Sequence, residues 1–485
     1  MVNPALVPEP TVFCLYGATG DLAHRLVLPA MFRLAKEGLL PERWRLVGNG
    51  RGDVAHEDFR ARVRDSLVEF GPKPSEGPWE DFSQRLLFAG GGFGTDDPGS
   101  LLEVMREAEA AVGGDCRRVH YMAVPPPAFT ELTRAIGEHG LGERSRVVYE
   151  KPFGTSMATF RALDAAAHRV FDETQIYRID HFLGKEATQD IHVLRFANGL
   201  FSGAWDSDHV ASVQVDVPEV LDVATRGSFY DGTGAVLDMV VTHLFQLVAE
   251  VAMEPPRSMD AEHIAAARQE VIGCFRPLER AEVVLGQYDG YTDVAGVAER
   301  SRTETFVALR LWVDNDRWRG VPFHLRTGKC LATSAQRVSV VFREPAQGLG
   351  DLPVAGNILT FDLAGDGGIS LSLVAKRPGV ELRLGTAVAD LPLGQAFHTP
   401  VLPAYSRLIH DVLMGDRSTF TRPDGLAHVW EVAGPLLEDK PEPLPYQRGS
   451  WGPAPADDLV SPGAWLLGPA SEQPANNEEP LATST

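Results

Sequence analysis

Cysteine is scarce and scattered. Cys14, Cys116, Cys274 and Cys330 are the four in the 485-residue chain, and none stands at CxxC spacing. That excludes a disulfide-stapled mini-domain and a zinc knuckle, and it fits a reducing compartment. No run of about eighteen apolar residues occurs, so no transmembrane helix is expected. The first thirty residues lack a basic flank, an apolar core and a small-residue cleavage site, so no secretory signal is expected and the cytoplasm is the expected location. No HExxH occurs, and no metal site is expected. Positive charge is in deficit: 45 Lys and Arg against 66 Asp and Glu leave a net charge of −21. That field repels nucleic acid and anionic membranes. A phosphorylated metabolite would need a local concentration of Lys, Arg and His to hold it.

What is present is an ordinary globular composition, 44% hydrophobic and 23% charged, in a length that allows about two to three domains. Thr11-Val-Phe-Cys-Leu-Tyr16 reads as a strand. Gly17-Ala-Thr-Gly20-Asp-Leu-Ala23 follows as a turn. Leu26, Pro29, Ala30, Phe32, Leu34 and Ala35 then form a helical stripe with Pro29 in its early turns, and Arg45–Gly48 is a second strand. This is a βαβ unit. Helices over 60–70, 100–112 and 129–139 alternate with strands at 118–124 and 145–149, which predicts a mostly parallel sheet covered on both faces. After about residue 200 the period changes to two, at 211–217, 305–312, 338–342, 369–374 and 380–384. One helix is predicted at 234–253. This half reads as α+β with a large, mainly antiparallel sheet. From Gly452 onward Pro, Ala, Asn and Glu accumulate without Lys or Arg, and a flexible tail is expected there, with Ala464-Trp-Leu-Leu467 docking locally. The expected division is therefore 1–185, 186–451 and a tail at 452–485.

Three places concentrate chemistry. Gly17-x-x-Gly20-x-x-Ala23 lies between a strand and a helix. It is either a tight βα turn or a pyrophosphate cradle, in which the backbone passes close to the ligand and the helix N-terminus faces it. The second strand runs out at Val47-Gly-Asn-Gly-Arg51. An acidic residue there would favour the ribose hydroxyl of NAD; a guanidinium suits the 2′-phosphate, so Arg51 points to NADP unless it is an ordinary surface Arg, and nearby Asp53 leaves some NAD use open.

The second place is Glu150-Lys-Pro-Phe-Gly154 with Arg178-Ile-Asp-His-Phe-Leu-Gly-Lys-Glu186. If the latter begins a helix, His181 and Lys185 share a face that suits a phosphate dianion; otherwise they are a solvated basic face balanced by Asp180 and Glu186. The third is His243, set among Val240, Val241, Leu244 and Phe245. A lone His in an apolar helix is ordinarily a core residue, but a partly buried His oriented by a carboxylate is also the base that hydride removal from an alcohol requires, and Asp180 is a candidate orienter.

Together these segments, with Arg226-Gly-Ser-Phe-Tyr-Asp231 and Phe323-His-Leu-Arg-Thr-Gly-Lys329, resemble the glucose-6-phosphate dehydrogenase family from about Val12 to Gly452. Gly286-Gln-Tyr288 and Tyr291–Gly296 are similar to its actinobacterial branch. The resemblance implies a Rossmann-like domain followed by the sheet domain, with substrate between them. It implies oxidation of β-D-glucose 6-phosphate at C1 to the lactone with hydride transfer to NADP, the first step of the oxidative pentose phosphate route. His243 is then the general base and Asp180 its orienter. His181 and Lys185 hold the phosphate, Lys151 beside a cis Pro152 lies between sugar and cofactor, and Glu219, Asp238 and Lys329 bind sugar hydroxyls. Gly17, Gly20, Asp21, Leu22, Arg51 and Lys151 contact the cofactor. A homodimer or homotetramer through the sheet domain is implied, with no nucleic-acid or membrane partner.

Three positions depart from the family pattern. Phe182 replaces a phosphate-binding Tyr, Leu26 replaces a Lys and is open to being a core residue of the first helix, and Ser334 replaces a basic residue. They leave two further readings open: a dehydrogenase of another hexose phosphate, or a non-catalytic partner that binds phosphosugar or NADP.

Overall fold

The structure, a computed structural model, describes residues 9–346 and 356–468. The chain divides into two compact units. One comprises Met1–Lys185, Pro256–Gln269 and Leu402–Trp430; the other comprises Glu186–Pro255, Glu270–Val401 and Glu431–Thr485. The sequence placed 256–269 and 402–430 with the second domain, and the structure packs them with the first.

In the first unit, β1 (Thr11–Tyr16), β2 (Trp44–Asn49), β3 (Leu86–Ala89), β4 (Arg117–Met122), β5 (Ser145–Tyr149) and β6 (Ile176–Arg178) form one sheet in the order β3-β2-β1-β4-β5-β6. Every pairing is parallel. All six residues of β1 are buried, as a strand covered on both faces requires. The order reverses between β1 and β4, which makes a ligand crevice at the carboxyl ends of these two strands. The first helical run opens at Asp21, winds as a π-helix over Ala23–Val27 and continues as an α-helix over Leu28–Lys36, with Pro29 at the start of the α part. Leu26 points outward at 38% exposure, so it is not a core residue.

The late segment joins this unit through its own apolar face. Leu408, Ile409, Val412 and Leu413 of the helix Ala404–Met414 enter the core with Phe13, Leu15, Met31 and Leu34. Arg146 Nη1 donates to the carbonyls of Val412 and Leu413 at 2.6 and 2.7 Å, capping the helix C-terminus. Arg417 pairs with Glu173 at 2.6 Å, and Arg268 donates to the Ser418 carbonyl at 3.1 Å, which brings in 256–269. Burying four such side chains, at about 1.5–3 kcal/mol each, rivals the whole net stability of a domain, about 5–15 kcal/mol.

The second unit is built on β7 (Val210–Pro218), β8 (Val283–Tyr288), β9 (Phe306–Leu311), β10 (Phe323–Gly328), β11 (Arg337–Phe342), β12 (Ile358–Asp362), β13 (Gly368–Lys376), β14 (Leu384–Pro392) and β15 (Leu444–Tyr446). Their order is β14-β13-β12-β11-β7-β10-β9-β8-β15. Pairings are antiparallel except β7 with β10 and β8 with β15. The expected strand at 380–384 is displaced: Pro378-Gly379 breaks the ladder, Gly379 has φ +132°, and β14 starts at Leu384.

The expected flexible tail at 452–485 needs correction over 454–460, whereas the local docking expected for Ala464–Leu467 is what the structure shows. Ala454–Val460 is a 3₁₀ helix. Gln214 of β7 clamps the following segment, donating to the Ala464 carbonyl and accepting from Leu466 N–H, both at 2.9 Å. The Arg326 guanidinium, paired with Asp216, lies 4.4 Å from the Trp465 ring centroid. Burial of Leu459, Val460 and Trp465 outweighs the polar composition that suggested disorder. Residues 469–485 of that expected tail lie outside the described residues. Among the described residues no helix is long and apolar enough to cross a membrane.

Candidate active site

Each unit carries its own set of the candidate residues. In the first, Gly17 has φ +76°, and a Cβ there would stand 2.3 Å from the Ala123 carbonyl oxygen, so the turn accepts only glycine. Gly17 and Ala18 N–H donate to the Asn49 carbonyl at 2.9 and 3.0 Å, which ties the turn to the end of β2, and Gly20 N–H donates to the Gly17 carbonyl at 2.9 Å. Asp21 and Leu22 are the first residues of the helical run. The turn thus aims helix N–H groups into the crevice at the strand ends, an arrangement suited to a pyrophosphate. Arg51 lies two residues beyond β2 and is exposed. Asn49 Nδ2, donating to the Ala89 and Gly92 carbonyls at 3.1 and 3.0 Å, fixes the strand end that carries it.

Two strands further along the same edge, β5 delivers Glu150 and Lys151, and the Lys151–Pro152 bond is cis. Glu150 is buried, and Tyr121 Oη donates to its carboxylate at 2.6 Å. Burial pushes this carboxyl up to about 7 against its hydrogen bond from Tyr121 and the charge of Lys151.

β6 delivers Asp180 to Lys185. The helix expected to carry His181 and Lys185 on one face is not there: 181–184 are turns, and the helix begins at Glu186. Asp180, fully buried, makes the turn itself by accepting from Phe182 N–H at 2.9 Å. The turn still gathers the imidazole and the ammonium. The His181 ring lies 4.7 Å from the Phe182 ring, and Lys185 Nζ lies 5.5 Å from the same ring. Sequence reasoning missed the Tyr405 ring, which stacks on His181 at 6.5 Å between centroids; it arrives on the late segment, and no local motif marks it.

In the second unit one helical run spans 234–252, wound as a π-helix over Val236–Leu244 and as an α-helix over Phe245–Ala252. The π winding matters. Residues five apart stand about 140° apart around an α-helix but only about 50° apart in a π-helix, which fits more residues into each turn. Asp238 and His243 therefore share a face. Both are buried, His243 completely. Glu304 anchors the start of this run, accepting from Val236 N–H at 3.2 Å and from Lys440 Nζ at 3.0 Å. Gly234 has φ +68°, and a Cβ there would be 2.4 Å from Glu304, so glycine is required.

Nearby, Lys329 Nζ donates to Glu219 at 2.6 Å and lies 5.8 Å from the centre of the Tyr230 ring. Burial, then the charges of Asp238 and Glu304, hold the Tyr230 hydroxyl protonated well above its ordinary range. Tyr230 is a second residue the sequence did not single out, although it lies in Arg226–Asp231. Ser334 Oγ accepts from Val220 N–H at 3.0 Å, pinning the loop that carries Glu219. Carboxylates, an ammonium and a buried imidazole on one unit can accept and donate hydrogen bonds to sugar hydroxyls and take a proton.

A doubly wound sheet with a glycine turn at its switch point, followed by a domain that carries a buried His and a cluster of carboxylates and an ammonium, is the build of a nicotinamide-dependent dehydrogenase. Comparison with known proteins narrows the class. Residues 14–190 match the model of "Glucose-6-phosphate dehydrogenase, NAD binding domain", and residues 192–465 match "Glucose-6-phosphate dehydrogenase, C-terminal domain". The cytoplasmic isoform of glucose-6-phosphate 1-dehydrogenase from Solanum tuberosum is 35% identical over 466 residues, covering 93% of this chain and 91% of the relative. Glucose-6-phosphate 1-dehydrogenase 2 of Mycobacterium tuberculosis is 36% identical over 473 residues, 92% of each. Among solved structures, glucose-6-phosphate 1-dehydrogenase from Mycobacterium avium has a TM-score of 0.84 at 33% identity, covering 94% and 98%. A glucose-6-phosphate dehydrogenase in complex with glucose-6-phosphate has 0.88 at 30%, covering 96% and 99%. The chain belongs to the glucose-6-phosphate dehydrogenase family and is an enzyme.

Proposed function

We propose that this enzyme oxidises β-D-glucose 6-phosphate at C1 to 6-phospho-D-glucono-1,5-lactone, with NADP as hydride acceptor, as the first step of the oxidative pentose phosphate pathway. What carries the assignment is that family membership extends over both units while the base, its carboxylate and the phosphate-holding turn are all retained. A dehydrogenase of another hexose phosphate, or a non-catalytic binding partner, is not favoured by a match this complete.

The first unit fits the nucleotide: Gly17 makes the tight turn between β1 and the helix that no side chain would allow, the helix N-terminus suits the pyrophosphate, and Arg51 suits the 2′-phosphate. When bound, the nicotinamide takes the hydride released from C1. His243 accepts the proton of the C1 hydroxyl as the carbonyl forms, and Asp180 orients and stabilises its imidazolium. His181 and Lys185 hold the phosphate, Lys151 reaches both ligands, and Glu219, Asp238 and Lys329 fix the ring hydroxyls so that C1 is presented. The test is absorbance at 340 nm with glucose 6-phosphate and NADP. Steady NADPH formation is expected, and its absence from folded protein overturns the assignment.

Arg51→Ala is expected to raise KM for NADP by about 10–100-fold, the value of a lost charge-assisted contact, and KM for NAD less than twofold. Equal changes for the two would remove Arg51 from 2′-phosphate recognition. The enzyme works in the cytoplasm as a homodimer or homotetramer. The exposed Leu373 and Leu391, which share one face of β13 and β14, support assembly through the large sheet, and a monomeric mass by light scattering would exclude it.

A further inference from the structure

Glu150 is a buried carboxyl beside the nucleotide crevice to which the chemistry above gives no task. It is 5% exposed, and its two oxygens are held from two different elements. Tyr121, on β4, donates to Oε1 at 2.6 Å; Tyr405, on the helix Ala404–Met414, donates to Oε2 at 3.4 Å. The Lys151 backbone N–H also donates to the carboxylate. Tyr405 continues the connection, because its ring lies over His181 at 6.5 Å with planes 24° apart. Phe182, whose ring also lies against His181, has no hydroxyl. Hydrogen bonds from Tyr405 and from the Lys151 backbone to one carboxylate, with a ring contact from Tyr405 to His181, therefore link the two residues proposed to hold the sugar phosphate.

We propose that Glu150 and Tyr405 are a positioning pair that sets the placement of Lys151 relative to His181, so that the grip on glucose 6-phosphate depends on the Tyr405 hydroxyl and the Glu150 carboxylate. The pair rests on the assignment of Lys151 and His181 as substrate ligands. Neither Glu150 nor Tyr405 needs to touch the substrate. The ionised carboxylate accepts from both tyrosines at once, whereas the neutral acid loses acceptor capacity. The groups facing Glu150 are Tyr121 from β4, Tyr405 from the late helix and the Lys151 ammonium, and Asp180 in turn faces Tyr405. Burial and the Glu150 carboxyl push both tyrosine hydroxyls well above their ordinary range, so they remain donors throughout the neutral region. Burial holds Glu150 itself up to about 7, so the grip tightens as the pH rises through neutrality.

Tyr405→Phe keeps the ring and removes the hydroxyl. It is expected to raise KM for glucose 6-phosphate about threefold to tenfold, with kcat within twofold, a smaller rise in KM for NADP, since Lys151 reaches both ligands, and a thermal midpoint lowered by no more than a few degrees. Glu150→Gln is expected to move KM the same way and to flatten its pH dependence between pH 6 and 8 relative to the parent enzyme. Thermal midpoints against pH give a readout independent of turnover. Between 4.5 and about 7 the folded chain holds a proton that the unfolded chain has released. Glu150's contribution to stability is therefore full at low pH and lost as the pH rises through about 7. The midpoint of Glu150→Gln relative to the parent is expected to rise from pH 5 to pH 8.

His181→Asn serves as the reference. If it raises KM while Tyr405→Phe and Glu150→Gln stay within twofold of the parent, the positioning pair is wrong and the phosphate assignment stands. If His181→Asn itself leaves KM unmoved, the underlying assignment fails and the pair with it. A lowered midpoint with kcat reduced and KM unchanged in Tyr405→Phe would reduce the pair to structural packing and overturn it.

Discussion

Replacing His243 by Asn is expected to lower kcat by about 10²–10⁴-fold, the usual loss when a positioned base is removed, while KM for glucose 6-phosphate stays within about threefold. His243 is fully buried on the run whose π winding brings it to the face of Asp238. Asn has a similar breadth and keeps a polar end, so the packing of this apolar run survives, yet it cannot take a proton. An alcohol does not release hydride at neutral pH without losing its hydroxyl proton, so the loss falls on the chemical step and not on substrate capture. Single-turnover absorbance at 340 nm measures it directly. A kcat within tenfold of the parent would remove His243 from proton transfer.

Lys185→Ala should show its effect in the opposite parameter. Lys185 Nζ is gathered with His181 around the buried Phe182 ring. Loss of one charge-assisted contact to a phosphate, about 1.5–3 kcal/mol, corresponds to a rise in KM for glucose 6-phosphate of about 10–100-fold. Unphosphorylated glucose supplies the internal control, since kcat/KM for it is expected to change less than threefold. If both sugars lost equally, Lys185 would be supporting the fold of the turn and not the phosphate. The net charge of −21 adds a second expectation: because the molecule as a whole repels the substrate, this local charge carries more of the capture than it would on a neutral protein.

The parallel sheet and its glycine turn were legible because their signals are local. A short apolar run followed by Gly17-x-x-Gly20 reports a strand, a left-handed backbone position and a helix start within a few residues. The period-two strands of the second half were legible for the same reason. Where a local breaker competed, at Pro378-Gly379, the strand was placed too early. Asp180, His181 and Lys185 could be named together, but the helix assumed to align them gave way to a turn made by the Asp180 carboxylate. The relation of Asp238 to His243 was not legible at all, since α and π winding use the same apolar residues and differ only in phase. Tyr405 and the segments 256–269 and 402–430 were invisible for a different reason: their place follows from packing across hundreds of residues, which no periodicity encodes. Trp465 and its neighbours fell between these cases, a buried anchor inside a stretch whose composition reads as solvated.

The late helix has a consequence for how the molecule is made. The core containing Phe13, Met31 and Leu34 also needs Leu408, Ile409 and Val412, and a ribosome delivers these only after the whole of 186–401 has emerged. The unit that begins the chain thus cannot close until the chain has been made as far as Val412. During synthesis its apolar flank waits uncovered while β7 to β14 of the large sheet are being threaded out, which is the interval in which a nascent chain is open to chaperones and to aggregation. A chain cut short near residue 185 would not isolate a nucleotide-binding module. It would hold the molecule permanently at that unfinished stage.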